Sequence, residues 1–242
     1  MQPLIEVCGL HYAYDDGTLA LRGVNFRLDP GESVALLGAN GSGKTTFVLH
    51  LNGLLGGGDD PQPHVAVCGL PLTRANLGLV RRKVGLVFQD SDNQLFMPTV
   101  LEDVAFGPLN LGKSPAEAIE VARHALATTG MAEAEERAPY HLSAGEKKRV
   151  ALAGILAMDP EILVLDEPTT FLDPPGQRSL AELLRNLPQA KIVVTHDTAF
   201  ARSVCTRAVF FQRGAVVADG RIEEVVERFR WDPYLANSRS ER

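Results

Sequence analysis

The sequence predicts an α/β protein with a mixed central sheet, an N-terminal antiparallel β layer and an inserted helical subdomain. Apolar segments at residues 33–37, 84–88 and 162–165 have the length and composition of buried parallel strands. A glycine-rich loop and then a helical pattern follow the first of these segments, as in a βα unit. A long helical pattern over residues 90–158 interrupts the succession of strands and marks the insertion.

The loop after the first apolar strand fits the phosphate-binding pattern G-x-x-x-x-G-K-[ST] from Gly38 to Thr45. Its glycines allow backbone N–H groups to turn towards phosphate oxygens, and a helix that starts near Gly43 adds the positive end of its dipole. Lys44 supplies a cation for the β- and γ-phosphates, and Thr45 supplies a hydroxyl for Mg²⁺. Because a strand precedes the loop and a helix follows it, a P-loop NTPase core is favoured over a glycine turn without a ligand.

The N-terminal β layer is predicted from two short strands, residues 4–8 and 24–28, which enclose a turn at residues 15–17. Tyr14 stands directly before that turn. Spacing alone allows its ring to stack on an adenine or to pack in a core, so both alternatives stay open.

Smaller elements complete the prediction. A loop at residues 56–61 precedes a short strand at 65–67, and a hairpin is centred on Gly214. An amphipathic helix is predicted at residues 222–229, followed by a tail at 231–242.

Polar side chains follow the apolar strands at residues 84–88, 162–165 and 192–194: Gln89, then Asp166 with Glu167, then His196. The carboxyl ends of parallel strands meet at one edge of a sheet, where ligands bind. Two acids beside a phosphate site are therefore expected to supply a metal ligand and a base, and Gln89 could reach Mg²⁺ or its water. Each residue taken singly is more typical of a structural role, but their shared position favours a catalytic site.

Two Ser-x-x-Glu capping boxes start helices in the inserted segment. Ser114 and Glu117 predict a helix from residue 115 to about 129, and Ser143 and Glu146 predict one that runs to about 158.

Charge, composition and residue spacing argue against a nucleic-acid-binding protein, a membrane-spanning protein and a protein that binds a transported metal. The net charge of -6, the pI of about 5.5 and the absence of a long basic run argue against a nucleic-acid partner. Three widely spaced cysteines suit reduced thiols. No segment approaches the roughly 18 apolar residues of a membrane span, and the histidines lack metal-ligand spacing, so a transported metal is not expected to bind this chain.

The order of these motifs resembles the ATP-binding cassette (ABC) family over about residues 5–229. Residues 142–146 resemble its signature motif, 162–166 its Walker B strand and 171–173 its D-loop. The resemblance implies an ATPase that uses ATP and Mg²⁺, with a single domain at residues 1–230. Within it, residues 1–89 and 159–230 would form the core with the β layer, and residues 90–158 the helical signature subdomain.

The resemblance also implies the site residues. Catalytic roles fall to Glu167, Gln89 and His196, the last in contact with the γ-phosphate, and Mg²⁺ would be held by Thr45, Gln89 and Asp166. The implied ATP-binding residues are Tyr14 as the adenine-stacking aromatic, Gly38, Ala39, Asn40, Gly41, Ser42, Gly43, Lys44, Thr45, Thr46, Ser143, Ala144, Gly145 and Asp173.

A helix start at Ser143 on an inserted subdomain lies too far from its own phosphate loop to share one phosphate with it. The family's solution is a head-to-tail pair of subunits, identical or different, in which Ser143 approaches the γ-phosphate bound by the partner. The Ser143 hydroxyl could cap its own helix or contact that phosphate, and both alternatives stay open.

Residues 87–96 and 102–108 look like the ATPase subunits of energy-coupling factor importers, particularly those for cobalt or nickel. This resemblance implies a separate integral membrane component, contacted by residues 90–106, and a location at the cytoplasmic face of the membrane. Alternatively, residues 93–96 are only a turn that packs Leu95 and Phe96. Ala144 and Phe171 depart from the family pattern, since glycine and a small residue are usual there.

Other functions remain in view. They are energy coupling for a vitamin importer, a soluble ABC ATPase that acts on nucleic acid or the ribosome, and a P-loop kinase of a small metabolite, in which the signature and His196 would have no purpose.

Overall fold

A computed structural model describes residues 2–56 and 64–232. The loop predicted at 56–61 lies outside these residues except for Gly56, and so does the tail beyond Asp232. The strands are β1 Ile5–Ala13, β2 Leu19–Leu28, β3 Ser33–Leu37, β4 Val65–Val67, β5 Leu70–Pro71, β6 Val84–Val87, β7 Ile162–Asp166, β8 Ala190–Val194, β9 Arg207–Gln212 and β10 Ala215–Arg221. The helices are α1 Lys44–Leu51, α2 Leu77–Lys83, α3 Val100–Asn110, α4 Pro115–Thr128, α5 Ala144–Leu156, α6 Pro174–Asn186, α7 Thr198–Val204 and α8 Ile222–Phe229.

The central sheet has six strands in the order β10-β9-β3-β8-β7-β6. All neighbouring strands are parallel except β10, which is antiparallel to β9, so the sheet is mixed as predicted. Both faces of the sheet are buried: Val34 and Leu36 of β3 pack with Phe47 of α1, whereas Ala35 and Leu37 belong to the core on the opposite face. This explains the uninterrupted apolar strands in the sequence.

The N-terminal β layer is a four-stranded antiparallel sheet in the order β2-β1-β4-β5. β1 and β2 are longer than predicted because pairing continues past Gly9 and Gly23. Both glycines have positive φ, and the β1–β2 register shifts next to Gly9, so a bulge replaces the expected strand end. The extension carries β1 to Ala13, directly before Tyr14.

The inserted segment contains α3, α4 and α5, which pack around their own apolar core that includes Val104, Leu126 and Val150. Capping boxes start α4 at Ser114 and α5 at Ser143, as predicted. Three helices outside this segment, α2, α6 and α7, were not predicted. Among the residues that the structure describes, no helix combines the length and apolarity needed to cross a membrane.

The outer edge of the sheet at β6 is occupied by a side chain. The amide of Gln94 donates from Nε2 to the Leu86 carbonyl at 3.3 Å, and its Oε1 accepts from Phe88 N at 3.2 Å. Gln94 therefore ties the segment after β6 back onto the strand. The inner face of β6 lies close to α5, since a Cβ on Gly85 would come within 2.1 Å of Ile155.

Candidate functional site

The phosphate loop connects β3 to α1, and two of its glycines are required by close backbone approach. Gly38 has a φ of +139°, and a Cβ there would lie 2.2 Å from the Phe211 carbonyl oxygen. Gly43 has a φ of +103°, and a Cβ there would lie 2.7 Å from the carbonyl oxygen of Ala20. Larger residues would push the loop away from β9 and β2. The packing of the sheet therefore fixes the loop directly before the positive end of α1.

Lys44 is buried and lies across its own loop. Its Nζ donates to the carbonyls of Gly38 at 2.7 Å and Ala39 at 3.0 Å. Burial lowers the pKa of Lys44, while the nearby carboxylates of Glu167 and Asp166 raise it. The side chain thus presents a partly desolvated cation, which an anionic phosphate would stabilise.

Thr45 and Asp166 meet as the sequence predicts for a Mg²⁺ site. Thr45 Oγ1 donates to Asp166 Oδ2 at 3.1 Å, and the other carboxylate oxygen, Oδ1, is buried without a hydrogen-bond partner among the described residues. Burial raises the pKa of Asp166, and the Thr45 hydrogen bond opposes that rise. Hydroxyl, carboxylate and amide oxygens are the donors that Mg²⁺ prefers, so Thr45, Asp166 and Gln89 fit the ion. When bound there with a nucleotide, it would neutralise phosphate charge.

Glu167 follows Asp166 in a left-handed backbone conformation with a φ of +44°. The turn is fixed by a 2.8 Å hydrogen bond from Glu167 N to the Val194 carbonyl of β8. His196 Nδ1 lies 2.9 Å from Glu167 Oε2, while 69% of the His196 side chain is exposed. The positive φ is costly for a residue other than glycine and is typical of functional sites. It aims the Glu167 carboxylate along the sheet edge, within reach of an exposed imidazole.

The two tyrosines of the N-terminal segment have different environments. Tyr12 packs edge-on against His50 with ring centroids 4.7 Å apart, next to the main core. Tyr14 is 40% exposed, and its hydroxyl lies 2.8 Å from Thr46 Oγ1. The two rings also contact each other edge-on, with centroids 5.1 Å apart. Tyr12 therefore lies against the core, and Tyr14 is the more exposed ring beside the phosphate loop.

These groups line one cleft of about 560 Å³. Most of the residues predicted for nucleotide, catalysis and metal lie in its wall, together with β2 residues that the sequence did not predict. The lining residues are Tyr14, Thr18, Leu19, Ala20, Asn40, Gly41, Ser42, Gly43, Lys44, Thr45, Thr46, Gln89, Asp166, Glu167, Val194 and His196. Gly38 and Ala39 do not line the cleft, but their carbonyls accept hydrogen bonds from Lys44.

The other predicted site residues, Ser143, Ala144, Gly145 and Asp173, are not part of this wall. Ser143 caps α5: its Oγ accepts from Glu146 N at 3.3 Å and donates to Glu146 Oε2 at 2.8 Å. Asp173 caps α6, since it accepts from Gly176 N at 2.9 Å. In a single chain these residues serve their own helices.

Lys148 is a functional candidate that sequence reasoning missed. It is only 4% exposed, and its Nζ donates to the carbonyls of Phe88 at 3.2 Å and Gln89 at 2.6 Å. Its neighbour Lys147 forms an ion pair with Asp92. Two consecutive lysines of α5 therefore hold the segment that carries Gln89. The only signal in the sequence was the pair of lysines in a helix that also has a buried face.

Comparison with known proteins agrees with this geometry. Residues 21–170 match the ABC transporter family model, so the chain belongs to the ABC transporter family and is an ATPase of that family. It is 46% identical to the energy-coupling factor transporter ATP-binding protein EcfA of Methanothermobacter thermautotrophicus, over 92% of this chain and 72% of that protein.

Two solved structures show the same fold. One is cbiO1 from Clostridium perfringens, part of the ABC transporter complex cbiONQ, with a TM-score of 0.84 and 36% identity over 95% of this chain and 92% of that one. The other is the dimeric cassette MJ0796 in a post-hydrolysis state bound to ADP and Pi. Its TM-score is 0.79 at 29% identity, over 90% of this chain and 98% of that one.

Proposed function

We propose that this chain is one half of a paired ATPase that powers import of a small solute through a separate membrane component. The observation that carries the pairing is the position of the α5 start. Ser143 and Gly145 belong to the signature motif, yet they do not line the cleft that contains Lys44 and Asp166. A second subunit, arranged head to tail, would bring its own α5 start to this cleft and complete it.

Within each cleft, Lys44 and the loop N–H groups would bind the phosphates, and Tyr14 would stack on the adenine. Thr45, Gln89 and Asp166 would hold Mg²⁺. Glu167 would orient or deprotonate the attacking water, and His196 would contact the γ-phosphate and keep the Glu167 carboxylate in place. The domain boundaries predicted at residues 89 and 159 fit the proposal, since α3–α5 would then move as a unit during closure.

A groove of about 330 Å³ supports a membrane partner. Its wall includes Leu95, Phe96, Phe106 and Met158, with Arg81 at one side. Phe96 is 64% exposed and packs edge-on against Phe106, so most of its ring stays uncovered, which supports a contact role for the 93–96 segment. A cytoplasmic helix of an integral membrane subunit would cover this groove, and the ATPase would then lie peripherally at the cytoplasmic face of the membrane.

The transported solute is proposed to be cobalt or nickel ion, from the motif resemblance at residues 87–96 and 102–108. The likeness to EcfA also supports an energy-coupling factor importer, of which a vitamin importer is the alternative. A pull-down from detergent-solubilised membranes, with mass spectrometry and metal analysis of the complex, tests the substrate. A multi-span partner with cobalt or nickel is expected. Ribosomal or nucleic-acid partners without a membrane subunit would contradict import.

Pairing and chemistry are tested together with three variants. Glu167→Gln should bind ATP, lose turnover and form an ATP-dependent dimer, because binding and closure are retained without the base. Ser143→Arg and Lys44→Ala should each be inactive alone, and mixing them should restore at most one composite site per mixed dimer. Full parental activity in the mixture would refute the shared-site mechanism. Normal turnover of Glu167→Gln would instead refute the assignment of Glu167 as the general base.

A further inference from the structure

Phe171 is the most exposed large apolar side chain among the described residues, at 80%. It lies in the segment that connects β7 to α6, between Glu167 and Asp173. Exposure of a complete phenyl ring is unfavourable in water, because roughly 25 cal/mol of apolar transfer free energy is lost for each Å² left uncovered. The position therefore needs an explanation beyond the fold of a single chain.

The backbone at Phe171 is also unfavourable. Its φ is +66°, in the left-handed region that bulky residues rarely adopt. Two hydrogen bonds fix the turn, from Thr170 N to the Glu167 carbonyl at 3.2 Å and from Leu172 N to the Thr169 carbonyl at 3.0 Å. Glycine or asparagine would occupy this conformation more easily, so the phenyl ring is held outward at a cost in stability.

The same turn places Phe171 beside the start of α5. Leu172 packs inward, where its Cδ2 lies 3.5 Å from the position of a Cβ on Gly145. Phe171 itself lines a small cleft of about 120 Å³ together with Ala144, Lys147 and Thr170. Phe171 and the first turn of α5 thus share one face of the molecule, outside the nucleotide cleft.

We propose that Phe171 is an apolar anchor that a second copy of this chain covers when two subunits close around ATP. The inference rests on the pairing proposed above, since the face that would meet the second phosphate loop is the face that carries Phe171. In a symmetric pair the ring contributes twice, once from each subunit. The cost of the left-handed backbone at Phe171 is then offset only in the dimer, where the ring is removed from water.

The test uses Glu167→Gln as the parent, with dimerisation followed by sedimentation against ATP concentration. Phe171→Gly should weaken ATP-dependent dimerisation about tenfold or more, because two buried rings are lost. The melting temperature of its nucleotide-free monomer should be equal or higher, because glycine relieves the strain. Asp159→Gly is the matched control: it relieves a φ of +52° at an exposed position beyond the C-terminal end of α5, and it should leave dimerisation unchanged.

A second measurement reports burial directly. Phe171→Trp in the same parent should shift its emission to shorter wavelength when ATP is added, as the indole leaves water. Unchanged dimerisation of Phe171→Gly, or indole emission from Phe171→Trp that does not respond to ATP-dependent pairing, overturns the anchor. A Glu167→Gln parent that stays monomeric with ATP overturns the pairing itself. Normal pairing of Phe171→Gly with loss of the membrane partner would assign the ring to that partner instead.

Discussion

The phosphate loop and the start of α5 are both glycine-containing helix N-termini, yet their polar groups are satisfied in opposite ways. At the loop, the Lys44 ammonium group donates hydrogen bonds only to oxygens of its own loop, and one Asp166 carboxylate oxygen has no hydrogen-bond partner within the described part of the chain. At α5, Ser143 and Glu146 satisfy each other in a complete capping box. The first region contains groups that an external ligand would stabilise, whereas the second is already satisfied.

This difference suggests an order of events. A nucleotide phosphate would neutralise the partly desolvated Lys44 cation, and a Mg²⁺ ion bound with it would pair the Asp166 oxygen, so the loop should bind nucleotide without help. At α5, the Ser143 hydroxyl would first have to leave Glu146, although backbone N–H groups of the first turn remain free of helical partners. The α5 start is therefore suited to join a nucleotide that another subunit already holds.

The largest effect is expected from a substitution in the phosphate loop. Lys44→Met should weaken ATP binding about ten- to hundredfold, since charge-assisted hydrogen bonds contribute about 1.5–3 kcal/mol. Without nucleotide, the melting temperature should hold or rise, because a buried cation is replaced by an apolar chain of similar length. ATP titration and thermal melting measure the two effects. Lys147→Met is the control and should bind ATP normally, whereas unchanged ATP affinity in Lys44→Met would contradict the assignment.

A smaller effect is expected from a substitution of Lys148, the α5 residue that contacts the segment carrying Gln89. Lys148→Met removes the cation that holds the Phe88 and Gln89 carbonyls, so turnover should fall about tenfold, which corresponds to roughly 1.5 kcal/mol, the lower end of the range for a charged hydrogen bond. The KM for ATP should change little, because Lys148 does not line the nucleotide cleft.

Steady-state kinetics separate the two constants for Lys148→Met, and Lys148→Arg should recover part of the rate. Lys147→Met should cost little, since its ion pair with Asp92 lies at the surface. Equal losses in the two methionine variants would argue against a special role of Lys148.

The smallest effect is expected from a substitution in the capping box at the start of α5. The hydrogen bond from Ser143 N, followed by that from Arg137, lowers the pKa of Glu146 from its ordinary 4.5 to about 2. A lowered carboxyl pKa means that the stabilisation is complete above pH 4.5 and is lost as the pH falls towards 2. Glu146→Gln should therefore cost about 1 kcal/mol at pH 7, as for other helix caps. Urea unfolding should show that the difference in free energy of unfolding between the parent protein and Glu146→Gln becomes smaller below pH 4.5. A difference that does not depend on pH would contradict this prediction.

The site could be predicted from sequence wherever chemistry is local. The phosphate loop lies within eight consecutive residues, and Asp166 directly ends an apolar strand, so their predicted roles follow from order and spacing. Lys148 and Gln94 act on backbone groups of a separate segment, which no local pattern reveals. The full lengths of β1 and β2 were missed because Gly9 and Gly23 resemble strand ends, whereas pairing on both sides turns them into a bulge.

The Gln94 amide at the edge of β6 has a consequence for solubility. β6 is a short apolar strand at the margin of the sheet, and an open strand edge is a template on which another chain can pair. Leu86 and Phe88 would present one acceptor and one donor there, but Gln94 occupies both. A single side chain thus protects this edge against edge-to-edge aggregation, beside the groove proposed for the membrane partner.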